Sequence, residues 1–254
     1  MTEAPHKEIL LCSTPRSGST LLAEAMLNSE CLGCPDEFFN NNQENKGDRP
    51  HTIFEENYNN LGATSYADYL GKLAAHYKSD NNVHAVKMHF QHFNQALRTG
   101  YFQHPAERFY VFIHREDTVA QAVSLAIAVK TQKWNSRMKT SQMGDVDVPD
   151  ELLARAYREL VFDNLRWKAF FEMFNVPYLS LEYDEVTGDV AGSVKKIAKH
   201  AKVRLKRGAL DGLEQRLTGK KQSSDLNERL KGRLNGMQLE DYKEGNILFD
   251  TKVL

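Results

Sequence analysis

The stretch Ile9-Leu10-Leu11-Cys12-Ser13-Thr14-Pro15-Arg16-Ser17-Gly18-Ser19-Thr20-Leu21-Leu22 constrains the fold of this chain more than any other. Its opening residues are apolar without alternation, the pattern of a strand buried on both faces of a parallel sheet. After a turn of small residues the apolar spacing becomes helical over residues 20–28. A strand that runs directly into a helix commits the chain to an α/β crossover, because a parallel neighbour is reached only by crossing the face of the sheet. The same junction leaves the unpaired N–H groups of the first helical turn aimed at one spot, where the helix dipole favours an anion. Gly18 admits close backbone approach there, Ser17, Ser19 and Thr20 add hydroxyls, and Arg16 adds a forked positive charge. The pattern is that of a phosphate cradle. The plainer alternative is a structural turn built from small residues.

The cradle is not a nucleotide triphosphatase loop. The pattern G-x-x-x-x-G-K-[ST] requires a leading glycine and a lysine before the magnesium-holding hydroxyl, and Ser13 and Ser19 stand in those places.

Three further runs, residues 84–88, 109–114 and 177–182, are short and rich in apolar and aromatic side chains, and with residues 8–13 they are expected to form four strands. Helical spacing falls between them at residues 65–78, 117–130 and 150–174, the last with Leu153, Ala156, Tyr157, Leu160, Val161 and Leu165 on its apolar stripe. The alternation predicts an α/β, three-layer, P-loop-like fold with a central, mostly parallel sheet flanked by helices. Residues 40–60 and 135–149 are polar without period and are expected as loops of the length that often touches substrate. No repeat or low-complexity linker divides the chain, so residues 1–254 are expected to form a single domain with a polar, helical C-terminal tail.

With 33 Lys+Arg against 34 Asp+Glu, interleaved along the chain, no basic face for nucleic acid is expected. No apolar run approaches the ~20 residues needed to cross a bilayer, and the first residues lack the features of a signal peptide. The expectation is therefore a cytoplasmic protein without a transmembrane segment. Three cysteines, Cys12, Cys31 and Cys34, suit a reducing compartment better than a disulfide framework.

A second anion site follows the third strand. His114-Arg115-Glu116-Asp117 ends the apolar run, and Asp117 opens a helix, which places Arg115 at the carboxyl edge of the sheet where open α/β folds bind ligands. Ser124 lies nine residues further on, within reach of a phosphate beside Arg115. The alternative for Arg115 is an ion pair with Glu116 or Asp117.

Together the two motifs resemble those of the sulfotransferases that use 3′-phosphoadenosine-5′-phosphosulfate (PAPS), and among them the bacterial carbohydrate type typified by trehalose 2-sulfotransferase. The similarity rests on Arg16 to Thr20, on Cys34-Pro35-Asp36-Glu37-Phe38-Phe39, and on Arg115, Gln121-Ala122-Val123-Ser124, Thr131 and Trp134. It implies that Arg16, Ser17, Gly18, Ser19 and Thr20 cradle the 5′-phosphosulfate and that Arg115 and Ser124 hold the 3′-phosphate. It further implies Glu37 as the general base on an acceptor hydroxyl, with a carbohydrate or glycolipid as acceptor and a homodimer as the assembly. Phe38 and Phe39 are either core or a stacking wall for a sugar ring. Lys87 is either near the active site or a solvated charge, and Lys221 either closes over the 3′-phosphate or ends an exposed helix. Residues 40–60 and 135–149 fall where acceptor-side loops are expected, and the Asn-rich segment 40–60 departs from the family pattern.

Sulfuryl transfer calls for an acceptor hydroxyl in line with the leaving phosphate oxygen and for fixed donors where charge grows. Arg16 and the N–H groups of residues 17–20 suit that role, and no metal is expected because no carboxylate cluster here has the pattern of a magnesium site. Two other readings stay open. One is a P-loop kinase-like phosphotransferase, disfavoured by the missing lysine. The other is a non-catalytic module that binds a nucleotide or glycan.

Overall fold

A computed structural model describes residues 7–43, 50–134, 146–217 and 225–244. In chain order the elements are β1 (Lys7–Ser13), α1 (Ser19–Asn28), α2 (Ile53–Asn60), α3 (Tyr66–His76), β2 (Val83–His89), α4 (Phe90–Arg98), a 3-10 turn (Tyr101–Gln103), β3 (Glu107–His114), α5 (Thr118–Thr131), α6 (Asp150–Met173), β4 (Tyr178–Glu182), α7 (Tyr183–Gly188), α8 (Val190–His200), α9 (Leu213–Arg216) and α10 (Asp225–Glu244). The four strands pair in parallel in the order β2-β1-β3-β4. Helices cover both faces, so the α/β layered architecture expected from the sequence is what the chain adopts.

Side-chain alternation along β1 explains the layering. Ile9 and Leu11 point to one face and join Leu22 and Met26 of α1 and Val194 and Ile197 of α8. Leu10 and Cys12 point to the other and meet Leu73 of α3, Phe93 of α4 and Trp167 and Phe171 of α6. All of these are buried, and each large apolar side chain withdrawn from water contributes roughly 1.5–3 kcal/mol. A third cluster, with Ala122, Ala126, Leu153, Leu160, Leu230 and Leu234, packs α5, α6 and α10 together.

Several boundaries differ from expectation for identifiable reasons. Residues 53–60 are not loop but α2. Its N-terminus is closed by a capping box, with the Glu55 N–H donating to Thr52 Oγ1 (3.2 Å) and the Thr52 N–H donating to Glu55 Oε2 (2.8 Å). Its Phe54 and Tyr58 then pack on Tyr69. The helix expected over 65–78 stops at His76, where Tyr77 leaves helical geometry. On α6 the stripe rotates after Leu160, so that Trp167 and Phe171 are buried and Leu165 is exposed. Helix α4 lies in a segment where no helix was expected, and the part after β4, expected as a polar helical tail, forms α7 to α10, of which α8 is not polar throughout but buries Val190, Val194 and Ile197 in the core. Of the expected loop 135–149 only residues 146–149 are described, with Val148 buried.

Strand register brings the candidate residues together. Ser13 stands level with His89 on one side and Ile113 on the other, and His114 is level with Glu182. The residues just beyond these strand ends therefore share one edge of the sheet.

Candidate active site

The turn between β1 and α1 is a backbone concavity. Arg16 has φ 63° and Gly18 has φ 87°, both left-handed, an arrangement that turns successive N–H groups toward a common centre. Gly18 is also the N-cap of α1 and offers no side-chain acceptor to the first turn, whereas Thr52 and Ser65 cap α2 and α3. Ser17 is fully buried, and its hydroxyl has no hydrogen-bond partner. An unsatisfied buried donor costs about 1–3 kcal/mol. Its place in the concavity fits a site made to receive an anionic oxygen.

Interior contacts hold the turn in shape. Gln121 of α5 is fully buried and donates through Nε2 to Thr14 Oγ1 (2.9 Å) and to the Pro15 carbonyl (2.7 Å). Trp167 of α6 donates its indole N–H to the Ser13 carbonyl (2.9 Å). Arg16 donates from Nε to Ser124 Oγ (3.0 Å) and from Nη1 to the Trp134 carbonyl. Ser124 thus meets the cradle through Arg16.

Arg115 lies just past β3, with its guanidinium 4.3 Å over the ring of Tyr183, the first residue of α7. Two nearby carboxylates face other groups. Asp117 caps α5 through the Ala120 N–H (2.8 Å) and faces Lys231 (3.6 Å), while Glu182 accepts from the N–H groups of Glu116, Asp184 and Glu185. Burial pulls the Arg16 guanidinium below its usual range, Tyr183 opposes that pull, and the positive charge of Arg115 reinforces it. Two arginines that repel one another across a concavity fit a ligand carrying more than one negative charge.

A second cluster adjoins the cradle on the β2 side. Lys87 Nζ is 2.9 Å from Glu37 Oε1 and donates to Thr20 Oγ1 at 3.1 Å. His89 Nε2 is 3.3 Å from the same Glu37 oxygen, and its Nδ1 is 3.1 Å from Ser13 Oγ. Asn40 donates to Glu37 Oε2 (2.6 Å). Burial alone would raise the Glu37 carboxyl; Lys87 first, and then His89, outweigh it and hold the group well below the usual carboxylate range. His92 accepts from the His89 N–H (3.3 Å), and burial pulls its ring down to about 3, so it stays neutral.

The candidate residues sort clearly. Arg16, Ser17, Gly18, Ser19, Thr20 and Ser124 are gathered at the cradle, Arg115 stands beside it, and Lys87 links it to Glu37. Lys87 is 6% exposed and so is not a solvated charge. Phe38 and Phe39 are each 1% exposed and belong to the core, packed on Tyr77 and Tyr101, so neither presents a stacking wall. A phenylalanine pair after a polar turn fits a core strap as well as a sugar platform, and only packing separates the two. Lys221 lies outside the described residues.

A family model described as Stf0 sulphotransferase matches residues 8–232. The chain belongs to the Stf0 sulphotransferase family. Among solved structures it is similar to the sulfotransferase domain from the Synechococcus PCC 7002 olefin synthase, with 16% identity over 92% of this chain and 88% of that one and a TM-score of 0.48. No curated protein matches the chain.

Within this Stf0 chain, sequence reasoning missed Tyr183, Gln121 as a clamp, Trp167 as a donor to the turn, and His89 as a neighbour of Glu37. The position of His89 at the end of an apolar run was the one available signal, since a polar residue there falls on the ligand edge of the sheet.

Proposed function

We propose that the protein moves a sulfuryl group from PAPS to a hydroxyl of a carbohydrate or glycolipid, with Glu37 as the general base. The observation that carries this reading is the buried Lys87 ammonium, which spans Thr20 of the cradle and Glu37 with contacts of 3.1 and 2.9 Å. One cation thereby serves the anion site and the carboxylate together. Arg16 and the N–H groups of residues 17–20 bind and orient the phosphosulfate, Arg115 takes the 3′-phosphate, and Glu37 receives the acceptor proton at Oε1 or Oε2. As negative charge grows on the leaving phosphate oxygen, Lys87 is drawn toward it. The carboxylate is then relieved of its strongest neighbour and becomes more basic when the proton must move. The orphaned Ser17 hydroxyl and the Arg16 and Arg115 pair fit such a ligand. PAPS itself would supply the activated sulfuryl group.

Isothermal titration with 3′-phosphoadenosine-5′-phosphate and with ATP–magnesium tests the donor site. Metal-free binding of the bisphosphate is expected, weakened about 10- to 150-fold in Arg115→Ala by loss of a charge-assisted contact worth roughly 1.5–3 kcal/mol. Binding of ATP–magnesium alone would refute the reading in favour of a kinase-like phosphotransferase. Transfer of labelled sulfate from PAPS across a glycan and glycolipid panel tests the chemistry. Glu37→Gln is expected to lose roughly 10²–10⁴-fold in kcat while keeping bisphosphate affinity. Full turnover in that variant removes Glu37 as base, and bisphosphate binding without transfer to any acceptor favours a binding module.

A further inference from the structure

Tyr183 takes no part in the proposed transfer, yet it touches both halves of the nucleotide site. The sheet register explains how. His114 and Glu182 are paired across β3 and β4, so the residues after them in the chain, Arg115 and Tyr183, leave the sheet side by side. The Arg115 guanidinium lies over the tyrosine face at 4.3 Å. The ring also abuts the cradle, because a β-carbon added at Gly18 would sit 3.0 Å from Tyr183 Cδ2 and 3.4 Å from Cε2. The ring thus fills the gap between the first and second anion motifs. Its own backbone is fixed, since Tyr183 begins α7 directly after Glu182, whose carboxylate caps that helix.

An arginine on a sheet edge has several rotatable bonds and several carboxylates near it. Asp117 and Glu182 are already occupied as helix caps. An aromatic face is then what fixes the guanidinium plane, because the ring quadrupole attracts a cation and flat stacking removes its rotational freedom. We infer that Tyr183 is a positioning residue that holds Arg115 at a set separation from the Gly18 cradle and so selects nucleotides bearing two separated phosphates over those bearing one. The inference rests on the proposed donor reading and deepens it. It assigns the discrimination to a side chain that acts through Arg115.

The test compares dissociation constants for adenosine 3′,5′-bisphosphate and adenosine 5′-monophosphate in the wild type, Tyr183→Phe, Tyr183→Leu, Arg115→Ala and the Leu/Ala double variant. Wild type is expected to prefer the bisphosphate. Tyr183→Leu is expected to weaken the bisphosphate roughly tenfold, the scale of a partly desolvated cation–π contact, while leaving the monophosphate within about twofold. Tyr183→Phe, which keeps the ring face, should retain the wild-type preference. In the Arg115→Ala background Tyr183→Leu should cost nothing further. Equal weakening of both nucleotides by Tyr183→Leu would mean a merely structural role and would overturn the inference, as would an undiminished preference or an unchanged loss in the Arg115→Ala background. A wild type without preference removes the donor reading and the inference with it, whereas a preference that survives Tyr183→Leu removes the inference alone. Tyr183→Met, also without a ring, gives the same comparison where Tyr183→Leu does not fold.

Discussion

Replacing Lys87 with methionine keeps the approximate length of the side chain and removes its charge. The ammonium and Glu37 Oε1 are 2.9 Å apart, with the two side chains 8% and 14% exposed. At an effective dielectric near 20 the Coulomb attraction at that distance is about 6 kcal/mol. Part of this is returned because Lys87 no longer has to be desolvated, and part because His89 at 3.3 Å and Asn40 at 2.6 Å still face the carboxylate. A net loss of about 3 kcal/mol at pH 7 is expected, at the lower end of what breaking one side of a buried pair costs. The pH dependence identifies the cause. Glu37 is held below its unfolded value, so its contribution is complete above about pH 4.3 and is lost as pH falls through the folded value. Lys87→Met lessens that depression. The gap between wild type and variant should therefore be full at pH 7 and should narrow as pH falls through the variant's own folded carboxyl value. Urea unfolding of both proteins between about pH 7 and about pH 3.5 measures it. Equal stability at pH 7, or a deficit that does not change with pH, would refute the pairing as the source.

Two further expectations concern backbone geometry. Gly18→Ala places a side chain at φ 87° and 3.0 Å from Tyr183, so a loss of about 2 kcal/mol in stability is expected from left-handed strain and crowding, along with weaker bisphosphate binding; thermal melts and titration check both. Thr52→Ala removes the capping box of α2 and should cost about 1 kcal/mol, with faster amide exchange in residues 53–60 and unchanged protection in β1.

Much of the architecture was legible because local pattern and tertiary role agree. The unbroken apolar runs of β1 and β3 could be buried only as inner strands, and the helical stripe of α3 had to lie on them. Helix α2 escaped because its polar face and flanking asparagines hide a short amphipathic stripe, and its stability depends on the Thr52–Glu55 reciprocal cap and on aromatic partners from α3. The helical character of the part after β4 was legible, but not the core face of α8, because Val190, Val194 and Ile197 are interleaved with lysines and find their partners only on the sheet and α1.

The sequence alone determined the cradle. A strand, a turn containing Arg16 and Gly18, and a helix lie contiguous in the chain, so the concavity is laid out by local backbone, while Gln121 and Trp167 from α5 and α6 brace it. It also placed Arg115 at the sheet edge, because a strand's end is a one-dimensional fact. Tertiary structure alone decided which side chains meet across strands. Lys87 reaches Glu37 because the segment before Glu37 lies against β2, where the Lys87 N–H donates to the Asp36 carbonyl (3.0 Å); both phenylalanines after Glu37 turn into the core, and Tyr183 lies under Arg115 because β4 pairs with β3 in one register. The two charged contacts join residues roughly 50 and 70 positions apart, and their pairing depends on sheet order and register, which no local pattern encodes.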